Sequence, residues 1–358
     1  MASGKLGGTV TNRRRVLATG TALFATPFLW RTARAAEQVF VKNAGGAYED
    51  VMRKAVYDPF TKTTGIEVVP VAASSGKLLA MFRSKNVEVD VIDIATGPLL
   101  SLERLGALAP IAYDKWQWGR RAELNPELTT EFRTPNYYFA QVMVYSKTLY
   151  PTDNRPRNWP EFWDLAKFPG PRMSPDLAFN QPDFEFALIA DGVPKDKLYP
   201  LDIDRALRSL TKLRPSVRKF YETGALSAQM LIDKEVGLGT MTNGRAQTVI
   251  DQGAPIAIDW TDHLVFSQSY GIFKDARNLA AAQKFVDFAA QAPIQAAYAK
   301  ELRYGPGNLK ALDLIPKEIV DQMPGTPAKR SQAIFQDAIW WEDNREKVTA
   351  AWSKWLLT

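Results

Sequence analysis

Apolar and polar positions divide this chain into short apolar runs of strand type and longer stretches of helical period. Val39-Phe40-Val41, residues 66–71 and residues 89–94 are apolar runs bounded by turn residues, the pattern of strands covered on both faces. Between the first two, a helix opens near Ala47 with Val51, Met52, Ala55 and Val56 on one face; Pro59 should bend or interrupt it and Gly65 stop it. A second helix opens at Ser74-Ser75-Gly76 and carries Leu78, Leu79, Met81 and Phe82. The third carries Leu99, Leu100, Leu102 and Leu105 and ends at Gly106. Strand–helix repeats of about 25–30 residues predict parallel βαβ units with right-handed crossovers.

Residues 237–273 continue the alternation. A strand over 237–241, a turn at Asn243-Gly244, one or two helical turns over 245–251 and a strand over 255–258 predict a further βαβ unit. Leu264-Val265-Phe266 then leads into another extended segment, 270–273. Thr242, Asn243, Asp259, Trp260, Gln268 and Ser269 fall where strands end, and open α/β sheets gather ligands there. Residues 137–145 (YYFAQVMVY) are long and β-favouring, a first crossing between two lobes; 237–273 would close one lobe and re-enter the other. Helical stripes over 184–190, 203–213, 228–232, 278–291 and 344–357 are core-forming.

At 358 residues the chain exceeds what one core serves, so two lobes are expected. With no long linker or internal repeat, they must be interleaved: 38–140 plus about 264–303 for lobe 1, and 141–263 plus about 304–358 for lobe 2. Residues 1–35 read as an export signal. Arg13-Arg14-Arg15-Val16-Leu17 fits the twin-arginine pattern, an apolar region runs to Trp30, and Ala33-Arg34-Ala35 resembles a cleavage site. The mature chain is therefore expected in the periplasm. The formal charge of +6 resides in this segment, through Lys5, Arg13, Arg14, Arg15, Arg31 and Arg34. The balanced remainder argues against a nucleic-acid partner.

There is no cysteine, and His263 is the single histidine, which excludes thiolate chemistry and leaves any histidine-based triad one candidate. No Ser-x-x-Lys motif stands at a helix start in the mature part, so an exported enzyme is disfavoured. Ser74 and Ser75 offer hydroxyls beside helix-start amides, suited to an anion or to plain N-capping. Gly45-Gly46 lacks dinucleotide-fingerprint spacing and either admits a ligand to the backbone or simply makes the turn. Tyr137-Tyr138 could serve as phenolate iron ligands, but no acid and His partners are positioned with them; aromatic packing or stacking is preferred.

Taken in order, several segments resemble the periplasmic solute-binding proteins of ABC importers, of the spermidine/putrescine type. They are Gly45-Gly46-Ala47-Tyr48, residues 60–68 (FTKTTGIEV), residues 158–164 (NWPEFWD), residues 187–193 (ALIADGV), Thr242-Asn243-Gly244-Arg245, Tyr304-Gly305-Pro306-Gly307-Asn308 and Trp340-Trp341-Glu342. The resemblance covers about residues 38–357. It implies a two-lobed α/β fold (type II), each lobe a mainly parallel sheet flanked by helices, with a ligand in the cleft. It implies hinge closure read by a membrane permease, a monomer, no cofactor, no metal and no chemistry on the ligand. By the resemblance and the strand-end pattern, the ligand-binding candidates are Gly46, Tyr48, Ser74, Ser75, Thr96, Gly97, Tyr138, Thr242, Asn243, Arg245, Asp259, Phe266 and Gln268. The chain departs from polyamine binders at Gly97 and Thr242, where aromatics are usual, and at Gln268, where an Asp is, with Phe266 for a Trp. Asp176, Asp183, Asp259 and Asp262 are nearby acids. A site short of carboxylates disfavours a dication, while Arg245, Ser74 and Ser75 suit a carboxylate-bearing amine. The expected ligand is a small amine, either a polyamine or an amino-acid-like zwitterion. A ferric-ion or other metal binder of the same fold is the alternative, and a module signalling to a receptor shares the same fold and cleft.

Overall fold

Two long antiparallel strands carry the fold from one half to the other. The structure is a computed structural model that describes residues 37–358 other than Thr152 and Asn180. The expected twin-arginine segment and its cleavage site lie outside the described residues.

The first run is β1 (Gln38–Asn43), α1 (Gly46–Met52), α2 (Asp58–Thr64), β2 (Glu67–Ala72), α3 (Ser75–Ser84), β3 (Val91–Ala95), α4 (Thr96–Arg104) and the short β4 (Leu108–Ala109). The crossing strand β5 (Thr134–Ser146) leads to α5 (Trp159–Trp163), β6 (Arg172–Pro175), α6 (Phe184–Ala190), α7 (Ile203–Leu213), β7 (Val217–Tyr221), α8 (Gly224–Ile232), β8 (Leu238–Thr242) and α9 (Asn243–Asp251). The return strand β9 (Ile256–Phe273) is followed by α10 (Leu279–Ala289), α11 (Ala292–Leu302), β10 (Gly305–Pro306), α12 (Lys317–Val320), β11 (Ala333–Phe335), α13 (Ala338–Asp343) and α14 (Arg345–Leu356).

The helix expected from Ala47 to Gly65 keeps its course, but a π-helical turn, Arg53–Tyr57, precedes Pro59, which sits in the first turn of α2. Proline has no N–H to continue the α-helical ladder, and the wider turn accommodates it. Gly65 ends the helix in the left-handed conformation at φ 74°.

The strands run in the order β2-β1-β3-β9-β5-β8-β6-β7. Pairing is parallel within β2-β1-β3 and within β8-β6-β7, and antiparallel where β9 meets β3 and where β5 meets β9 and β8. Strands β8 and β9 are thus parallel to each other with β5 between them, so α9 makes a βαβ crossover over the hinge strand. One expectation changes here: 255–258 and 264–273 are not separate strands but a single one. The polar run Asp259–His263, which reads as a loop, bulges within the strand, with Asp262 at φ 45°; β5 pairs on both sides of it, Gln141 with Leu264 and Met143 with Asp259, and β11 pairs with His263, Leu264 and Val265.

Each half has its own core. Val41, Val56, Phe60, Val91, Phe285, Val286 and Tyr298 pack together on the first, joined by Ala311, Ile315 and Met323 from the chain after β10. Trp159, Phe184, Phe186, Leu210, Trp341, Val348 and Trp352 form the second. Helices cover the other face of each sheet through Leu78, Ile92 and Leu99 on one side and Val142, Met230 and Met241 on the other. This is the two-lobed α/β architecture.

Candidate functional site

Side chains alternate across a strand, so one face of the paired β5 and β9 presents Tyr137, Phe139 and Gln141 together with Phe266, Gln268 and Tyr270. Phe139 and Phe266 lie directly opposite and stack, with centroids 5.0 Å apart and planes 17° from parallel. Tyr137 stacks on Tyr304 at 4.7 Å and lies 5.9 Å from the ring of Tyr48. These rings form an aromatic floor between the lobes.

Beneath it sits Asp93, an acid in the middle of the apolar strand β3 and 1% exposed. Its Oδ2 accepts from the Tyr48 hydroxyl at 2.5 Å; its Oδ1 accepts from Asn136 Nδ2 at 2.9 Å and Gln268 Nε2 at 2.8 Å. Lys42 Nζ donates to the Asp93 backbone carbonyl at 2.9 Å. Burial pushes the Asp93 carboxyl above its ordinary range, and Lys42 with the three donors pulls it back. Burial lowers Lys42 in turn, opposed by Asp93. The Asp93 carboxyl is thus engaged by three donors and lies in the field of the Lys42 ammonium, which itself bonds the backbone carbonyl of Asp93.

The lobe-1 wall is made by two helix starts at the carboxyl ends of β1 and β3. Gly45 and Gly46 both have positive φ (77° and 59°), which the turn into α1 demands, and Tyr48 follows. At α4, the Thr96 hydroxyl is engaged with Ser267: it accepts from Ser267 Oγ at 2.7 Å and donates to the Ser267 carbonyl at 3.1 Å. Gly97 leaves the α4 backbone close to Ala338 of the opposite lobe. A cavity of about 90 Å³ remains there, lined by Ala95, Gly97 and Phe266 with Gln181, Gln336 and Trp341 facing them.

Lobe 2 supplies two buried acids. Asp183 Oδ2 accepts from Ser174 Oγ and Thr240 Oγ1, both at 2.6 Å, and burial raises this carboxyl to about 7. Glu185 Oε1 accepts from Tyr199 at 2.5 Å and Trp341 Nε1 at 2.8 Å; burial raises it too. Gln336 donates to Gln181, which in turn donates to Glu185. The arrangement offers aromatic faces, amides and helix-start backbone, with Asp93 compensated by Lys42 in lobe 1 and Asp183 and Glu185 held by neutral donors in lobe 2. It can hold a small polar solute, and it contains no nucleophile–base pair.

The family model for bacterial extracellular solute-binding proteins matches residues 55–327. The chain belongs to this family. Members of it are substrate-binding proteins of ABC importers and not enzymes, which makes the solute and an ABC permease the partners and the cell exterior or periplasm the place of action. Among relatives of this solute-binding protein, the gamma-aminobutyric acid-binding protein of Pseudomonas aeruginosa is 28% identical over 341 residues, covering 93% of this chain and 95% of its own. The spermidine/putrescine-binding periplasmic protein of Escherichia coli is 24% identical over 274 residues, covering 74% and 77%. A solved ABC transporter substrate-binding protein from Bradyrhizobium japonicum superposes with a TM-score of 0.83 at 31% identity, covering 89% of this chain and 99% of its own. Among the described residues, no helix is long and apolar enough to cross a membrane.

In this solute-binding protein Tyr48, Gly97, Phe266 and Gln268 converge on the floor and on the wall of the cleft. Gly46 is exposed at the α1 turn, and Thr242 is half-buried at the start of α9. Arg245 is exposed on the first turn of α9, near Phe179 and close enough to act electrostatically on Tyr304. Others lie apart or are engaged inside the protein. Ser74 and Ser75 are exposed on the far edge of the sheet, where Ser74 caps α3 by accepting from Lys77 N at 3.2 Å. Asn243 is buried, accepting from Ala140 N at 2.9 Å and donating to the Arg303 carbonyl at 2.7 Å. Asp259 pairs with Arg155. Of the other acids, Asp176 accepts from Trp352 Nε1 at 3.1 Å and Asp262 pairs with Lys195 at 3.0 Å. Tyr138 lies on the face of β5 opposite to Tyr137, against Phe335. The two phenols therefore cannot share one metal ion, and no cluster of three or more His, Cys, Asp or Glu occurs among the described residues. The residues that reading the chain missed are Asp93, Lys42, Gln181, Gln336 and Trp341. A charged residue inside each of two apolar strands was the available signal for the first pair.

Proposed function

We propose that the chain binds one small zwitterion of the amino-acid class, carrying an amine and a carboxylate as gamma-aminobutyric acid does, and delivers it to the permease by closing its lobes. The observation that carries this reading is that Asp93, the acid of the lobe-1 floor, is already engaged by Tyr48, Asn136 and Gln268 and lies in the field of Lys42, so the floor has no free carboxylate for a second ammonium. A dication losing its hydration there would lack a counter-charge. The relative named for gamma-aminobutyric acid matches more of the chain, at higher identity, than the one named for polyamines. In this reading Tyr48, Phe266 and Gln268 meet the solute from lobe 1, with Gly97 leaving space, and Thr242 and Arg245 meet it at the mouth from lobe 2. The mature chain acts as a monomer in the periplasm after cleavage near Ala35. Its lobes divide near residues 140 and 264, and we add residues 304–323 to lobe 1 because Ala311, Ile315 and Met323 pack on its core.

Calorimetry on the mature chain decides between the two amine classes. Gamma-aminobutyric acid should bind one to one, with putrescine and spermidine at least about 100-fold weaker, a difference of roughly 2.7 kcal/mol. The opposite order would overturn the zwitterion reading and restore the polyamine one.

A further inference from the structure

Side chains from three elements converge on the buried carboxyl of Asp93: Tyr48 from α1 at 2.5 Å, Asn136 from β5 at 2.9 Å and Gln268 from β9 at 2.8 Å. The Asn136 amide is also oriented from its far end. Tyr298 donates to its Oδ1 at 2.5 Å, which leaves Nδ2 for Asp93 Oδ1. Asp93 Oδ1 is therefore an acceptor, and Gln268 meets the same oxygen with Nε2. The Lys42 ammonium, bonded to the Asp93 carbonyl from β1, favours the ionised form of the carboxyl.

The consequence falls on the other end of Gln268. Its backbone is paired on both sides, with Ala95 of β3 and Tyr137 of β5, so its side-chain torsions are the freedom it has left. With Nε2 turned inward, Oε1 is the free end of the amide. It takes no hydrogen bond from the described residues, and it is not one of their fully enclosed unpartnered atoms, which belong to Trp116, Gln141, Arg155, His263 and Tyr270. Oε1 therefore reaches solvent, on the same face of β9 as Phe266, which lines the cleft wall. An ammonium group only donates, and the carbonyl oxygen is the end of an amide that can receive it. A carboxylate at position 268 would instead stand at hydrogen-bond distance from Asp93, two like charges in a buried place. The pair gives the floor one neutral acceptor whose direction is set from below.

We infer that Asp93 is a positioning residue for solute selection: it holds the Gln268 amide with Oε1 toward the cleft, where that oxygen accepts a hydrogen bond from the ammonium group of the solute. Asp93 itself does not touch the solute. The inference rests on the zwitterion reading above and adds which end of the solute lobe 1 reads and which buried group makes it do so.

The test compares gamma-aminobutyric acid with 4-hydroxybutyric acid on the full mature chain by calorimetry, with displacement titration for the weaker solute. Both carry the same carboxylate, but a hydroxyl can donate or accept and so is indifferent to the direction of the amide. In Asp93→Asn the new side-chain amide can donate to Gln268 Oε1 and turn it inward. Gamma-aminobutyric acid should then weaken about tenfold to a hundredfold, the range of a hydrogen bond to a charged group, with 4-hydroxybutyric acid changed within about threefold. Gln268→Met keeps the bulk and removes the acceptor. It should reproduce the loss, and the double variant should lose no more than Gln268→Met alone. Equal weakening of both solutes by Asp93→Asn would make Asp93 a structural part only and overturn the inference, as would additive losses in the double variant. Either result leaves the zwitterion reading standing. A natural chain that binds no gamma-aminobutyric acid, or prefers putrescine or spermidine, brings down that reading and this inference with it. If Asp93→Asn fails to fold by circular dichroism, Gln268→Met decides, and an unchanged preference between the two solutes there overturns the inference.

Discussion

Asp183 shows how a single buried group ties the cleft wall to pH. Its carboxyl accepts two hydroxyls and faces no cation, and burial raises it from 3.8 to about 7. Between those values the folded chain holds a proton that the unfolded chain has released. The contribution of this group to stability is therefore full below about pH 4 and is lost as pH rises through 7. His263 acts with the opposite sign: burial lowers it to about 4, so its contribution is full above 6.5 and lost as pH falls toward 4. A difference measurement separates them. Relative to Asp183→Asn, the natural chain should lose on the order of 3 kcal/mol of unfolding free energy between pH 4 and pH 8. Urea midpoints of the two proteins at matched pH give this directly, and parallel curves would rule out a titrating Asp183.

The elements explain why several polar residues at strand ends do not face the cleft. Asn243 opens α9, and its amide ties that helix start to Ala140 of β5 and to the Arg303 carbonyl after α11. Asn243→Ala leaves a buried N–H and a carbonyl without partners and should cost about 2–3 kcal/mol in chemical denaturation. A cost near zero would mean the amide is not the staple it resembles. The Tyr304–Asn308 segment has a comparable role. A side chain at Gly307 would meet the backbone of Pro135 at 2.8 Å, so the turn belongs to the packing of the hinge. Alternation along β5 does the same sorting within one strand: adjacent Tyr137 and Tyr138 go to opposite faces, one into the aromatic floor and one against Phe335.

At the scale of the whole molecule, function rests on two lobes sharing β5 and β9 as a hinge. Across the cleft α4 meets α13, where Arg104 pairs with Asp343 and Gly97 approaches the Ala338 carbonyl. Both charged side chains are about half exposed, so water and salt weaken the pair and it serves as a contact, not as the latch. Closure must then come from the solute's differential affinity for the closed state, and about 5.5 kcal/mol takes an equilibrium from 1:99 to 99:1. Small-angle scattering should show a smaller radius of gyration with saturating gamma-aminobutyric acid, and the same change in Arg104→Ala. Loss of the change in that variant would make the ion pair the device that closes the lobes.

Much of this was legible in the chain itself. Apolar runs and helical stripes determined the βα alternation and the crossing strand at 137–145, because period and turn chemistry are local properties. Tyr48, Gly97 and Phe266 entered as candidates through the family resemblance, and Gln268 through both the resemblance and its polar character. The tertiary structure alone decided which polar residues face the cleft and which are engaged elsewhere: Asn243 in a staple, Asp259 with Arg155, Ser74 in a cap. It also brought Lys42 of β1 next to Asp93 of β3, and Gln181, Gln336 and Trp341 from distant segments to one wall. The reason is physical. A hydrogen-bond partner fifty or more residues away leaves no periodic trace in a sequence, so the charge balance of the cleft exists only once the strands are paired.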